Sequence, residues 1–344
     1  MKLNNLLEKE YQNIHNKEIS KINHTDNSSA IIELYEKFFE NRTQVSSDMH
    51  YRNLHAKQMI EAFSCEYGKK DITSCRYTRE DITLASLTLI NEPKIGLVDL
   101  HVGLFLTNLI QTHYNSSPSK ESYLIISEIE TKLIDGLGYR LNGPTIRVQG
   151  SVGHYLGYRM KSGSITIFGN TTGDCGMSME DGIIHINGSS GNCLGSSMIG
   201  GTIIVSENGG RYIGENMNGG KIVIRRNTED NVGNKMQGGI IHIHGNANED
   251  IGTQMKGGKI IINGSCKNDI GFRMEKGKIH IKKNTGKNIG EEMYGGEIYI
   301  DGTIKGELPH LTRGGTIFHK SRNVIITSQG FKIYKQRDIE KVKE

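Results

Sequence analysis

Histidine and cysteine are the residues of this 344-residue chain whose types and spacing first invite chemistry. His242 and His244 stand two apart, so both imidazoles leave one strand on the same side and could share a metal ion; two ordinary exposed imidazoles are the competing reading. His185, His242 and His280 are separated by 57 and 38 residues, both multiples of nineteen. If nineteen residues make one turn of a stacked fold, those gaps are roughly 14 and 10 Å. One zinc ion, with ligands at ~2.0–2.1 Å, cannot bridge them. His50, His55 and Cys65 fit no common metal-site spacing and read as core or surface residues. The five cysteines, Cys65, Cys75, Cys175, Cys193 and Cys266, form no CxxC pair and are odd in number, which reads as reduced thiols in a cytoplasmic protein. No HExxH, GxSxG or P-loop is present. The expectation is no catalytic residue, no metal and no cofactor.

A repeat positions those histidines. Methionine recurs at Met160, Met179, Met198, Met217, Met236, Met255, Met274 and Met293, every nineteen residues without a slip. Three before each stands Gly157, Gly176, Gly195, Gly214, Gly233, Gly252, Gly271 or Gly290, and three after each stands another glycine. A degenerate ninth copy keeps Gly315 and Ile317 but has Thr312 where methionine is due. Tandem repeats of this length stack into solenoids. After the second glycine the chain reads x-I-x-[IV], the period-two pattern of a short strand with one face buried. Several glycines per repeat, each costing ~1 kcal/mol in a helix, exclude a helical solenoid. The 43 glycines, about one residue in eight, lie mostly after residue 150. The fold class is therefore mainly β: a parallel β-helix of nine 19-residue coils. A left-handed hexapeptide-repeat fold, with coils of eighteen, does not suit the period.

Within a coil the residues five and seven after methionine, such as Ile222 and Ile224, point inward, with an apolar residue four before it such as Ile213. The methionines form a third inward column, since a flexible thioether fills an irregular corner. Ten residues after each methionine stands Asn170, Ser189, Asn208, Asn227, Asn246, Ser265, Asn284 or Thr303, a turn column whose side chains are expected to hydrogen-bond along the rod. Six after methionine, on the outer face, run Thr166, His185, Ile204, Val223, His242, Ile261, His280, Tyr299 and Phe318. More than half of this row is apolar where a solvated face should be polar. The stripe Ile204, Val223, His242, Ile261, His280, Tyr299 and Phe318 is therefore read as a contact surface, covered by another part of this chain or by another subunit. Strand propensity alone is the blander account. Asp174, Asp181, Asp230, Asp250 and Asp269 read as scattered over several columns, without the paired carboxylates a polysaccharide-active β-helix enzyme would need.

The repeated pattern GxxxGxxMxGGxIxIxG, with its lead-in "LGYRLNGPTIRVQGSVGHYLGYRM", resembles the glycine-rich β-helix of two related groups. One is the β-helical subunit of formylmethanofuran dehydrogenase; the other is the C-terminal domain of the glutamate synthase large subunit. The likeness runs from residue 143 to about 319, and the methionine in each copy is closer to the formylmethanofuran dehydrogenase side. The resemblance implies a right-handed β-helix that holds catalytic subunits or domains together while the chemistry happens elsewhere.

Ahead of the repeat, residues 1–28 read as a loosely ordered leader and 29–140 as a small α-helical domain of five or so helices. Among these are "TREDITLASLTLI", the apolar "IGLVDLHVGLFLTNLI" and "KESYLIISEIETKLIDGLG". The β-helix is placed at 141–327 and a charged tail at 328–344. A net charge of +4 is too mild to point to nucleic acid. The most apolar run is too short for the ~20 residues that span a bilayer. The function expected is a non-catalytic scaffold subunit of an oxidoreductase complex with protein partners. The alternatives are a glutamate synthase-related β-helix protein or a standalone assembly module.

Overall fold

The computed structural model describes residues 78–91, 98–117, 121–127, 133–306, 312–320, 324–328 and 330–333. The chain divides into two compact units, Met1–Ala85 and Ser86–Glu344. Of the first unit only the start of helix α1 (Arg79–Asn91) is described. Thr78 caps it: the Asp81 N–H donates to the Thr78 hydroxyl at 3.2 Å, and the Asp81 carboxylate accepts the Thr78 N–H at 2.8 Å. The helices expected between residues 29 and 68, and the residues His50, His55 and Cys65, lie outside the described residues.

The second unit opens with β1 (Val98–Asp99), helix α2 (Leu100–Ser116), β2 (Tyr123–Ser127) and β3 (Leu133–Ile134). α2 buries Leu104, Phe105, Leu106, Leu109 and Ile110. It presses on the first coil so closely that a Cβ at Gly103 would lie 1.9 Å from the Asp135 carbonyl oxygen. The Thr107 hydroxyl accepts the Gly138 N–H at 2.8 Å and donates to the Gly103 carbonyl at 2.6 Å, tying helix to coil. No helix among the described residues is long and apolar enough to cross a membrane.

The coils follow. Strands β4 (Thr145–Gly150) and β5 (Val152–His154) lead into β6 (Ser164–Ile167) and β7 (Thr171–Gly173). Then come β8 (Ile183–Ile186), β9 (Thr202–Val205), β10 (Lys221–Ile224), β11 (Ile240–Ile243) and β12 (Lys259–Ile262). The series ends with β13 (Lys278–Ile281), β14 (Glu297–Ile300), β15 (Thr316–His319), β16 (Val324–Thr327) and β17 (Gly330–Ile333). The main sheet has 13 strands, ordered β17-β16-β15-β14-β13-β12-β11-β10-β9-β8-β6-β4-β2. From β4 to β15 every neighbour is parallel and shifted by nineteen residues, as in Ile146↔Ile165 and Ile222↔Ile241. One more coil exists than the nine expected. Gly138, Leu141 and Ile146 sit where Gly157, Met160 and Ile165 sit one coil later, and Leu141 is fully buried in the methionine position.

Two segments differ from expectation. "YLIIS" within the helix expected at residues 120–138 is strand β2, parallel to β4. A short apolar run does not distinguish helix from strand by its period, and the unpaired edge of β4 decides the matter. At the other end β16, the last of the residues placed in the β-helix, and β17, inside the expected tail, turn antiparallel and extend the sheet past β15.

The methionine–glycine pairing has a steric cause. A Cβ at Gly182 would lie 2.8 Å from the Met160 methyl and 2.8 Å from the Gly163 carbonyl oxygen, so each methionine packs beneath the glycine of the following coil. The backbone of Met160 accepts the N–H groups of Glu180 and Asp181 at 2.8 and 3.2 Å, so the same residue joins the coils twice. Gly233 (φ 69°) faces the core, where an added Cβ would lie 2.4 Å from the Ile260 Cδ1. The polar column also forms as expected. Side-chain oxygens of Asn170, Ser189, Asn208, Asn227, Asn246, Ser265 and Asn284 each accept the backbone N–H nineteen residues on, at 2.8–3.3 Å. One residue further along each coil the chain points inward with a small side chain, among them Thr171, Ser190, Thr228, Ala247, Cys266 and Thr285. The hydroxyls of Thr171, Ser190, Thr228 and Thr285 are buried without a hydrogen-bond partner.

Two stability predictions follow from this packing. Gly233→Ala forces a methyl into Ile260 and a left-handed φ onto alanine, and is expected to destabilise by about 2–4 kcal/mol, read as a lower urea midpoint. Thr228→Val removes a buried unpaired hydroxyl at nearly constant shape and is expected to stabilise by about 1 kcal/mol, read as a higher urea midpoint; a lower midpoint would show that the hydroxyl is satisfied.

Candidate functional site

Alternation along each strand sorts the side chains. Ile222 and Ile224 are fully buried, while Lys221 at the start of the strand and Arg225 just past its end are exposed. The outer face therefore carries three rows, at four, six and eight residues after methionine. The middle row is in register throughout: Thr166↔His185↔Ile204↔Val223↔His242↔Ile261↔His280↔Tyr299↔Phe318. Its two ends differ. Tyr299 and Phe318 are 7% and 5% exposed, with rings stacked at 4.4 Å and 5°, and His280 meets Tyr299 edge-on at 5.9 Å. The Tyr299 hydroxyl donates to Glu297 at 2.8 Å, and burial, then that carboxylate, pushes its pKa well up. Ile204, His242, Ile261 and His280 are half-buried and line the open stretch.

The three outward histidines share one arrangement. Each Nε2 faces the residue twenty-one further on: Ser206 Oγ at 3.2 Å from His185, Asn263 Oδ1 at 3.3 Å from His242 and Asp301 Oδ2 at 2.9 Å from His280. They are links between adjacent coils and do not converge. His242 and His244 do come together, their rings stacked at 4.3 Å and 24°. Partial burial, then His242, Arg225 and Lys282, hold the His244 imidazole below its ordinary range. That cationic setting opposes a metal cation. Among the described residues no group of three or more His, Cys, Asp or Glu side chains could hold a metal ion.

The thiols are placed to pack. Cys175 and Cys266 are buried and free, and burial pushes the Cys266 thiol up to about 12. Half-buried Cys193 is raised too, by burial and then by Asp174.

Sequence reasoning missed a regularity among the aspartates. Asp174, Asp250 and Asp269 all stand five before a methionine, and Asp250 and Asp269 occupy adjacent coils. The spacing of nineteen between them was the available signal. All three have left-handed backbones (φ 53°, 58° and 60°), as do Asn231 and Asn288 at the same position. Asp and Asn tolerate that conformation best among residues with a Cβ, which accounts for the column without catalysis. Asp250 is raised by partial burial, then by Asp269, Glu249 and Asp230, while Asn288 donates to Asp269 at 2.8 Å. Asp174 faces His154 at 3.3 Å, and this hydrogen bond is the main cause of the raised His154 pKa.

Residues 169–310 match the family model described as GXGXG motif. No curated protein matches the chain. Among solved structures, the chain is similar to one in the crystal structure of the formyltransferase/hydrolase complex from Methylorubrum extorquens in complex with methylofuran. The two are 26% identical, with a TM-score of 0.39 over 43% of this chain and 58% of that one. The chain thus spans somewhat over half the length of that relative. The nineteen-residue coils within residues 169–310 thus carry the repeat of the GXGXG-motif family.

Proposed function

We propose that the chain is a non-catalytic scaffold whose β-helix holds partner chains in a multi-subunit assembly, an oxidoreductase complex of the formylmethanofuran dehydrogenase type that its repeat motif resembles. The observation that carries this reading is the open outer face. Half-buried Ile204 and Ile261 share one row there with Val223, which is only 9% exposed, flanked by the exposed Ile183 and Ile240 in the row beside it. Branched aliphatics in register on a sheet face supply apolar area that a bound chain removes from water, at roughly 25 cal/mol per Å². The turn asparagines and the outward histidines, by contrast, are engaged within the rod. The asparagine column bonds to backbone, and the outward histidines bond to the next coil. Such groups are poorly placed to serve as acid, base or nucleophile, which need freedom to change partners during a reaction.

Affinity purification of the tagged chain from its native host, with identification of co-purifying chains, tests the proposal. Chains bearing molybdopterin or amidohydrolase motifs at fixed stoichiometry are expected; recovery of the chain alone at its monomer mass overturns it. Ile204→Thr, Val223→Thr and Ile261→Thr combined should cut partner recovery by about tenfold while leaving the unfolding free energy from urea titration within about 1 kcal/mol of the parent. Unchanged recovery would move the interface elsewhere. Turnover of formylmethanofuran or of a glutamate synthase substrate by the isolated chain would end the non-catalytic reading.

A further inference from the structure

The open part of the outer face carries a charge pattern that apolar contact alone leaves unused. From the Met217 coil to the Met274 coil three rows run side by side. The middle row is Val223, His242, Ile261 and His280, and one flank is Lys221, Ile240, Lys259 and Lys278, paired rung to rung. The other flank is Arg225, His244, Asn263 and Lys282. Backbone bonds keep it in register: the N–H groups of His244, Asn263 and Lys282 donate to Ile224, Ile243 and Ile262 at 2.8–2.9 Å. Lys221, Arg225, His244, Lys259 and Lys282 are exposed.

From the Met217 coil to the Met274 coil no acidic residue occupies these three rows; Glu297 and Asp301 enter the two flanks one coil on. The carboxylates in the bordering coils are already engaged: Glu207 with Arg226 at 2.7 Å, Glu297 with Lys278 at 2.9 Å and Asp301 with His280 at 2.9 Å. Among the described residues Lys221, Arg225, Lys259 and Lys282 make no ion pair. Unpaired cations thus flank a row in which Val223 and Ile261 alternate with His242 and His280, over about 14 Å of rod.

We propose that this window docks an acidic amphipathic helix of a partner chain, laid across the strands along the rod. Its apolar ridge would meet half-buried Ile261 and the small exposed edge of Val223 (9% exposed), and its carboxylates would meet Lys221 and Lys259 on one side and Arg225 and Lys282 on the other. The inference rests on the scaffold reading for the existence of a partner and adds the partner's chemistry. Pitch supports a helix: one turn advances 5.4 Å and one coil about 4.8 Å, so over three rungs the drift is about 2 Å, within side-chain reach. A single-stranded nucleic acid fits less well. It needs aromatic platforms for its bases, and the stacked Tyr299 and Phe318 are buried outside the window. A small anion fits less well still, because the cations lie on two flanks and do not converge.

The test uses the full chain and a labelled synthetic helix of about five turns, with a leucine ridge flanked by glutamates, read by fluorescence anisotropy. Binding is expected, weakened at least about tenfold by Arg225→Glu with Lys259→Glu, and less strongly by Arg225→Gln with Lys259→Gln. It should also fall as salt shortens the reach of the charges to about 3 Å near 1 M. Equal binding by the charge-reversed chain, by a lysine-flanked helix or by a single-stranded oligonucleotide would overturn the proposal. In the native host, a charge-reversed chain that still recovers the same partners at the parent's stoichiometry overturns the docking chemistry and leaves the scaffold reading standing. Binding of the acidic helix by a parent chain that purifies alone supports the docking chemistry and removes the scaffold reading.

Discussion

The contact on which the rest depends is the methionine methyl lodged beneath the glycine of the following coil. It sets the thickness of the corner where each circuit closes, and it leaves no room for a Cβ on the residue above. Because that residue must be glycine, and because its carbonyl also meets the next glycine in the stack, the circuit length cannot vary. One inserted residue would carry every inward isoleucine to the solvent side, since the pleat alternates with each residue. The unbroken interval of nineteen is the outcome of this steric constraint, and the in-register ladder from β4 to β15 is its structural expression.

Fixed register has a consequence for polar chemistry. Equivalent side chains stack at the strand spacing, so a group that can both accept and be aligned becomes a rail, as the oxygens from Asn170 to Asn284 do. The same regularity sustains conformations that a single coil would not keep. Among the described residues seventeen with a Cβ hold positive φ, falling one and five before the methionine, or for Arg140 one before Leu141 in the methionine position, and including bulky Tyr155, Tyr212 and Arg273. Each such backbone is strained and persists only where its surroundings over-determine it. Here the determinant is the chain above and below: the Lys235 N–H donates to Thr253 at 2.8 Å and the Gln254 N–H to Phe272 at 2.8 Å, coil after coil.

What the sequence disclosed follows from how far each signal is repeated. The inward columns, the turn column and the outward row were all legible, because eight copies of each position average away local exceptions. Met160, Ile165 and Ile167, assigned inward from spacing, are fully buried. Segments present once were less legible. "YLIIS" has no second copy to show its period, and its state was decided by the free edge of β4, which no local pattern records. The tenth coil was hidden for the opposite reason: Leu141 replaces methionine, so a search keyed to sulfur stops one circuit short. The burial of Tyr299 and Phe318 was illegible because the outer row looks uniform in sequence, whereas stacked rings shield one another only when adjacent coils both carry them. The aspartate column was legible and overlooked, since its members alternate with tyrosine and cysteine.

Rails and rows also separate the two things a β-helix surface can do. A catalytic centre brings unlike groups to one point at hydrogen-bonding distance. Stacking does the reverse, setting each group beside its own repeat equivalent and spending its remaining valence on the next coil. His280 is held by Asp301 and His242 faces Asn263, so neither is presented to a reacting atom. What stacking supplies well is a straight, rigid surface whose composition changes row by row while its geometry stays constant. A row carrying Val223 and Ile261 between rows carrying Lys221, Lys259, Arg225 and Lys282, each repeating at about 4.8 Å, is matched in periodicity and charge to the linear partner proposed above. Recognition of that kind needs no side chain to move, and it is best served by a fold whose backbone is bonded to its neighbours at every turn.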